Sequence, residues 1–399
     1  MRFQLCTLAW LFVSLTVCAQ NSKQVLEWIN KAHPDNKDFY FEIPFDYRNN
    51  QIVIQVTIGN QTYDYIFDTG GYNDITDGIQ KKNNFPVLTT QTVGSSNGLK
   101  SKVNIVKVDS LKIGQLVFRD IAALQMNFDP SPTITCTVDG ALIGASIIRN
   151  CIWQIDFSRR KILVTDRLSK IPHLDKALKV PVTFNNRLMP FIEAKIDGKK
   201  EQFMFDLGSS TRFSLTQKTA LKYISAKQPI EVTGLRSEGG NGILVQTAAV
   251  FKADVFEIGS VKYKNKPVLY SKAGVENLIG NPIIKDFIVT MNFKDSELYL
   301  SPLPDTHLTE GWNSFGLQAA YKNDKVLVTS LFKGLPADKA GLKIDDEIVS
   351  ANGKRVDCKN YCDCMVMLAH IFDGNTKLNL DIKSGPITRE ITMSKEQVY

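Results

Sequence analysis

Histidine is scarce in this chain. The 399 residues hold only His33, His173, His307 and His370. None belongs to an H-E-x-x-H motif, which argues against a zinc protease, and none stands where a catalytic base is suggested. Cysteine is sparse too, at seven. Cys358, Cys362 and Cys364 form a C-x3-C-x-C pattern with no histidine at ligand spacing, poor ground for zinc. The formal charge of +7 is spread out, without a long basic run or basic–aromatic interleaving, so nucleic acid is not an expected partner. No apolar stretch beyond the N-terminus is long enough to span a membrane. No metal and no cofactor are expected.

What is present is an ordinary globular balance, 43% hydrophobic and 22% charged. The length suggests two or three domains. The opening "MRFQLCTLAWLFVSLTVCAQ" has one early charge at Arg2 and an apolar run from Leu5 to Val17. That run is shorter than the about 18–20 residues a spanning helix needs. Val17 and Ala19 fit a signal-peptidase site, so residues 1–19 read as a cleaved secretory signal and the mature protein as periplasmic or secreted. A lipoprotein modified at Cys18 is the alternative, against which Val17 is bulky. In an oxidising compartment Cys136–Cys151 can close one loop and two of the last three cysteines can pair, leaving one thiol over.

The sequence repeats itself. "YDYIFDTGG" and "EQFMFDLGSS" place Asp68 and Asp206 at an offset of 206 − 68 = 138. "LIGASIIRNCIWQIDFSRRKILV" from Leu142 and "LIGNPIIKDFIVTMNFKDSELYL" from Leu278 lie 278 − 142 = 136 apart. "VDSLKIGQLVFRD" and "ADVFEIGSVKYKN" make a third pair between them. Three matched blocks in one order indicate a duplicated, mostly β unit over about 40–302. Alternating segments turning at Gly59-Asn60 and Asp197-Gly198 read as hairpins.

An aspartate closing a hydrophobic strand is usually a turn cap. Two, one from each half of a duplication, can meet across the pseudo-symmetric interface. Carboxyls in contact share a proton; the ionised one can take a proton from water while the other hydrogen-bonds a carbonyl. Gly70 and Gly208 let the loops approach closely.

On "FDTGG" and "FDLGS", each with its downstream "LIG", the region 40–302 resembles the aspartic peptidases of the retropepsin/pepsin type. The resemblance implies Asp68 and Asp206 as catalytic residues, supported by Thr69, Gly70, Gly208 and Ser209, and a polypeptide substrate held extended. It departs at Leu207, where the family has Thr or Ser; Ser209 can still hydrogen-bond Asp206. It further implies a flap in "QTVGSSNGLKSKV" (91–103), centred on Gly94, Ser95 and Ser96, with a counterpart at 233–245. "GSSNG" also fits G-x-S-x-G, but the alternating stretch after it reads as a strand where the serine-hydrolase elbow needs a helix.

Past a proline-bearing linker, "VLVTSLFKGLPADKAGLKIDDEIVSANGKRV" (326–356) resembles a PDZ domain of the bacterial protease type. The resemblance implies capture of the C-terminus of a polypeptide, with Phe315, Gly316 and Leu317 as the carboxylate loop. The expected organisation is signal 1–19, helical segment 20–39, first acid-protease β-barrel-like lobe 40–168, second 169–303, linker 304–312 and an α+β PDZ domain 313–399. The expected function is an exported aspartic endopeptidase. The alternatives are a decayed peptidase fold that only binds polypeptides, or a peptidase regulated by its C-terminal domain.

Overall fold

The computed structural model describes residues 23–172, 174–303 and 311–399. The expected signal segment 1–19 and most of the linker 304–312 lie outside the described residues. No described helix is long and apolar enough to cross a membrane. The fold is mostly β, as the alternating segments require.

Each half starts with a hairpin whose second strand delivers an aspartate. Gln51–Ile58 pairs with Gln61–Phe67, and Pro190–Ile196 pairs with Lys199–Asp206. The apolar-Gly segments then run parallel to these strands. Leu142 and Ile143 lie against Ile66 and Phe67, and Leu278 to Gly280 lie against Met204 to Asp206. Each Asp strand is therefore held on both edges. Phe67, Phe203, Phe205, Ile143 and Ile279 are all buried beneath it. Trp153 fills the space under the first Asp strand. Its ring meets Phe67 edge to face at 5.2 Å and its indole N–H donates to Ile148 O. Burying side chains of this size stabilises by about 1.5–3 kcal/mol each.

The two halves share a six-stranded sheet, in the order Leu178–Pro181, Glu297–Pro302, Phe287–Asn292, Ile152–Asp156, Lys161–Thr165, Tyr40–Pro44. At its centre Gln154 pairs with Thr290, a separation of 136 that matches the repeat offset. Equivalent residues of two copies can touch only at the axis relating them, so this pair marks a pseudo-twofold axis. The largest apolar core runs continuously through both halves.

The C-terminal unit has its own core around Phe315, Val328, Leu368 and Leu380. Strands Lys325–Phe332, Glu347–Ala351, Lys377–Ser384 and Ile387–Ser394 form its sheet, and helix Tyr361–Asp373 packs on Leu317–Lys322. The unit does not stand apart. Phe332 and Leu331 pair with Val232 and Thr233, which joins it to a sheet of the second half. A small core of Val232, Val250, Phe332 and Leu335, flanked by Trp312 and Tyr399, seals the junction.

Two of the last three cysteines pair and one thiol is left over, as expected, but Cys136 does not pair with Cys151. Cys136 bridges Cys362, and Cys358 bridges Cys364; Cys151 is a free, buried thiol. Cys136 and Cys151 were the near pair in sequence, but Cys151 follows the buried Ile147 and Ile148 into the core. Cys136 lies on helix Pro132–Thr137, which faces helix Tyr361–Asp373.

Candidate active site

The two aspartate loops meet on the pseudo-twofold axis. Asp68 and Asp206 are both buried and hydrogen-bonded to each other through their carboxyls. Each carboxyl also accepts from a glycine amide of its own loop: Asp68 Oδ1 from Gly70 N at 2.8 Å and Asp206 Oδ1 from Gly208 N at 2.9 Å. The glycines permit the approach, because each faces the opposite loop's carboxyl. A methyl on Gly70 would come within 2.6 Å of the Asp206 carboxyl, and one on Gly208 would overlap that of Asp68.

Electrostatics separates the two acids. Burial pushes the Asp68 carboxyl well above the usual range, and the neighbouring Asp206 charge adds to this. Asp206 is raised by burial too, but the hydrogen bond from Asp68 and the amides of Gly208 and Ser209 pull it back. Burial and the neighbouring carboxyl thus favour a proton held by the pair. Such a pair can accept a proton at one oxygen and donate one at another.

Thr69 ties the loops together. Its hydroxyl donates to Phe205 O at 2.5 Å and accepts from Leu207 N at 2.9 Å. The bond pair is one-sided, since Leu207 offers no hydroxyl in return and is instead fully buried in the core. Ser209 was expected to reach Asp206 through its hydroxyl. That hydroxyl accepts from Thr211 N, and the Ser209 N–H donates to the Asp206 main-chain carbonyl at 3.1 Å.

Each half also carries a long hairpin. The first joins Val87–Gly94 to Lys100–Ile113, the second Ile230–Gly239 to Gly242–Ile258. Gly94 closes the first strand, Ser95 donates to Asn97 Oδ1, and Ser96 is exposed at the tip. The serine of "GSSNG" thus sits at a turn between strands. The tips interlock. Asn97 donates to Ser237 O and Gly242 O, Ser101 to Asn241 Oδ1, and Asn241 to Val93 O and Leu99 O. Asn97–Ser237 and Ser101–Asn241 are each 140 apart, close to the repeat offset, so the tips also straddle the axis. The sequence reading singled out the hairpins but missed Asn97 and Asn241, although each lies beside a glycine in its turn.

A third buried carboxyl, Asp74, was also missed. Burial holds it well above the usual range, and its Oδ1 has no hydrogen-bond partner among the described residues. Six residues after Asp206, the matching position is Arg212, ion-paired with the buried Asp286. No described group of three or more His, Cys, Asp or Glu side chains is arranged to hold a metal ion.

In the C-terminal unit, Phe315 is buried, Gly316 has φ +77° and Leu317 starts a strand. The Gly316 amide donates to the Ser314 hydroxyl at 3.0 Å. Among the described residues, strand Leu317–Lys322 has a ladder partner on one edge only, and helix Tyr361–Asp373 lies along it.

No protein-family model matches the sequence. Over 84 residues it is 29% identical to a probable CtpA-like serine protease of Staphylococcus aureus (strain COL), covering 21% of this chain and 16% of that protein. Over 149 residues it is 28% identical to the carboxy-terminal processing protease CtpA of Bacillus subtilis (strain 168), covering 36% of this chain and 31% of that protein. The match thus spans less than a third of the length of these relatives. These names overturn the assignment to the retropepsin/pepsin-type aspartic peptidases, and with it the expected aspartic endopeptidase. An alignment of 84 residues cannot contain both Asp68 and Asp206, which are 138 apart.

Proposed function

We propose that this protein is an exported protease of the carboxy-terminal-processing kind, with the Asp68–Asp206 pair as its proton-handling centre. The observation that carries the proposal is the shared hydrogen bond between two buried carboxyls on the axis of a duplicated unit. The pair holds and releases a proton there, with Thr69, Gly70, Gly208 and Ser209 holding the loops. The hairpin tips around Gly94, Ser95 and Ser96 cover a polypeptide lying between them and the pair.

On this reading the two halves are acid-protease-like β lobes and residues 313–399 form a PDZ-type unit. The open edge of Leu317–Lys322 supports strand addition by a polypeptide. Phe315, Gly316 and Leu317 sit at the end of that strand, where the terminus of the bound polypeptide is held. The names of the relatives support a polypeptide substrate cut near its C-terminus.

Those names also favour a second reading, in which a serine hydroxyl attacks. Such a hydroxyl requires an adjacent base. Three serines of the loops and hairpin tips have other partners: Ser95 bonds Asn97, Ser101 bonds Asn241, and the Ser209 hydroxyl accepts from Thr211 N.

The test is cleavage of a peptide library by the purified protein, by Asp68→Asn and by Asp206→Asn, alongside labelling with a serine-directed fluorophosphonate. Loss of cleavage in both variants is the expected result, whichever group attacks. Retained cleavage with one labelled serine transfers the chemistry to that serine. No cleavage by any form removes the protease reading.

A further inference from the structure

Apart from the carboxyl pair, one set of contacts closes a ring around the second hairpin. At its base, Val232 and Thr233 pair with Phe332 and Leu331, and Lys333 N donates to Glu231 O at 2.9 Å. Near its tip, Glu238 grips the start of helix Pro132–Thr137. Its carboxylate accepts from Thr133 N at 2.8 Å, from the Thr133 hydroxyl at 2.7 Å and from Ile134 N at 3.3 Å. That helix carries Cys136, bridged to Cys362. Cys362 lies in the first turn of helix Tyr361–Asp373, which buried Cys364 and Leu368 anchor in the C-terminal core. The C-terminal sheet then returns to Lys325–Phe332 and the base of the hairpin.

The weakest member of this ring is helix Pro132–Thr137. It has six residues, too few to persist without tertiary support. Glu238 keeps its three bonds only while that helix is formed. Among the described residues, Cys136–Cys362 is the only disulfide joining 23–303 to 311–399. It is also the more accessible bridge. Cys362 is exposed and Cys136 half-buried, whereas Cys364 of the other bridge is buried.

The geometry points to a thiol-operated latch: reduction of Cys136–Cys362 by a dithiol loosens helix Pro132–Thr137 and with it the Glu238 grip on the second hairpin. A thiolate of the dithiol attacks Cys362 Sγ, the bridge breaks, and Cys136 leaves as a thiolate. The second thiol of the reductant then attacks its own sulfur in the mixed disulfide and releases Cys362. Two electrons pass to the bridge, Cys136 and Cys362 end as thiols with two protons taken up, and the reductant departs as a disulfide. This latch does not rest on the proposed protease activity, and its test reads structure alone.

The test is hydrogen–deuterium exchange of the full-length protein, oxidised and after mild dithiothreitol treatment followed by alkylation, with mass spectrometry confirming that Cys136 and Cys362 carry the label. Residues 132–137 and 230–242 should exchange about ten-fold faster once reduced, with 152–165 unchanged. Cys136→Ser/Cys362→Ser should reproduce the effect and Cys358→Ser/Cys364→Ser should not. Glu238→Gln, which cuts the ring elsewhere with the bridge intact, should also speed exchange at 230–242; if the cysteine variants fail to fold, it and the reduced native protein decide. Equal exchange at 230–242 in the oxidised and reduced forms overturns the latch, as does an equal effect from the Cys358/Cys364 variant.

Discussion

Thr69→Val isolates the single hydroxyl that joins the two aspartate loops. Valine has the shape of threonine, so the fully buried site gains no cavity. What it loses is the donor to Phe205 O and the acceptor for Leu207 N. Both backbone groups are then orphaned away from water, at about 1–3 kcal/mol each. The expected loss is about 2–6 kcal/mol, a large share of the roughly 5–15 kcal/mol that stabilises a folded domain. Thr69→Ser is the control: it keeps the hydroxyl and drops one buried methyl, costing about 1 kcal/mol. Urea unfolding measures the loss, and exchange at the Leu207 amide locates it. A Thr69→Val loss below about 1 kcal/mol, with Leu207 exchange unchanged, would refute the bridging role.

Three further outcomes follow from the same geometry. The Asp74 carboxyl is raised by burial from its ordinary 3.8, so the folded protein holds a proton that the unfolded one releases. Its contribution is fully present below about pH 3.8 and is lost as pH rises through the folded value, at up to about 1.4 kcal/mol per pH unit; Asp74→Asn should flatten this fall in urea midpoints, and an unaltered pH profile would count against it. Asp286→Ala leaves Arg212 without its buried partner and the Tyr263 hydroxyl without its acceptor, so unfolding measurements should show a loss of about 3–5 kcal/mol. Gly208→Ala drives a methyl into the Asp68 carboxyl, so carboxyl titration followed by infrared or NMR should show the shared proton lost; an unchanged titration would refute the close approach.

The duplication was legible because each half must bury the same strand face, which fixes the same apolar blocks in the same order at similar offsets. The mostly β content and the turns at Gly59-Asn60 and Asp197-Gly198 were legible from alternation and local turn chemistry. The Cys136–Cys362 bridge was not, since it depends on how helix Pro132–Thr137 meets helix Tyr361–Asp373, and sequence distance says nothing about that. The same holds for Asn97 and Asn241, whose partners lie in the other hairpin. Ser209 illustrates a finer limit. Its residue type invited a hydroxyl contact, and the loop geometry used its amide. The family assignment rested on short motif blocks, and the relatives found point elsewhere.

The seam between Val232-Thr233 and Leu331-Phe332 bears on how the protein can be cut. Strand Ile230–Gly239 has its hairpin partner Gly242–Ile258 on one side and the C-terminal unit on the other, with Val232 and Val250 capped by Phe332 and Tyr399. A truncation ahead of residue 311 would strip both the neighbouring strand and the aromatic cap, baring main-chain donors and oily side chains together. Such a fragment should self-associate through that raw margin. Removing the unit is therefore no neutral trimming, and its influence is better probed by point changes that leave the seam intact.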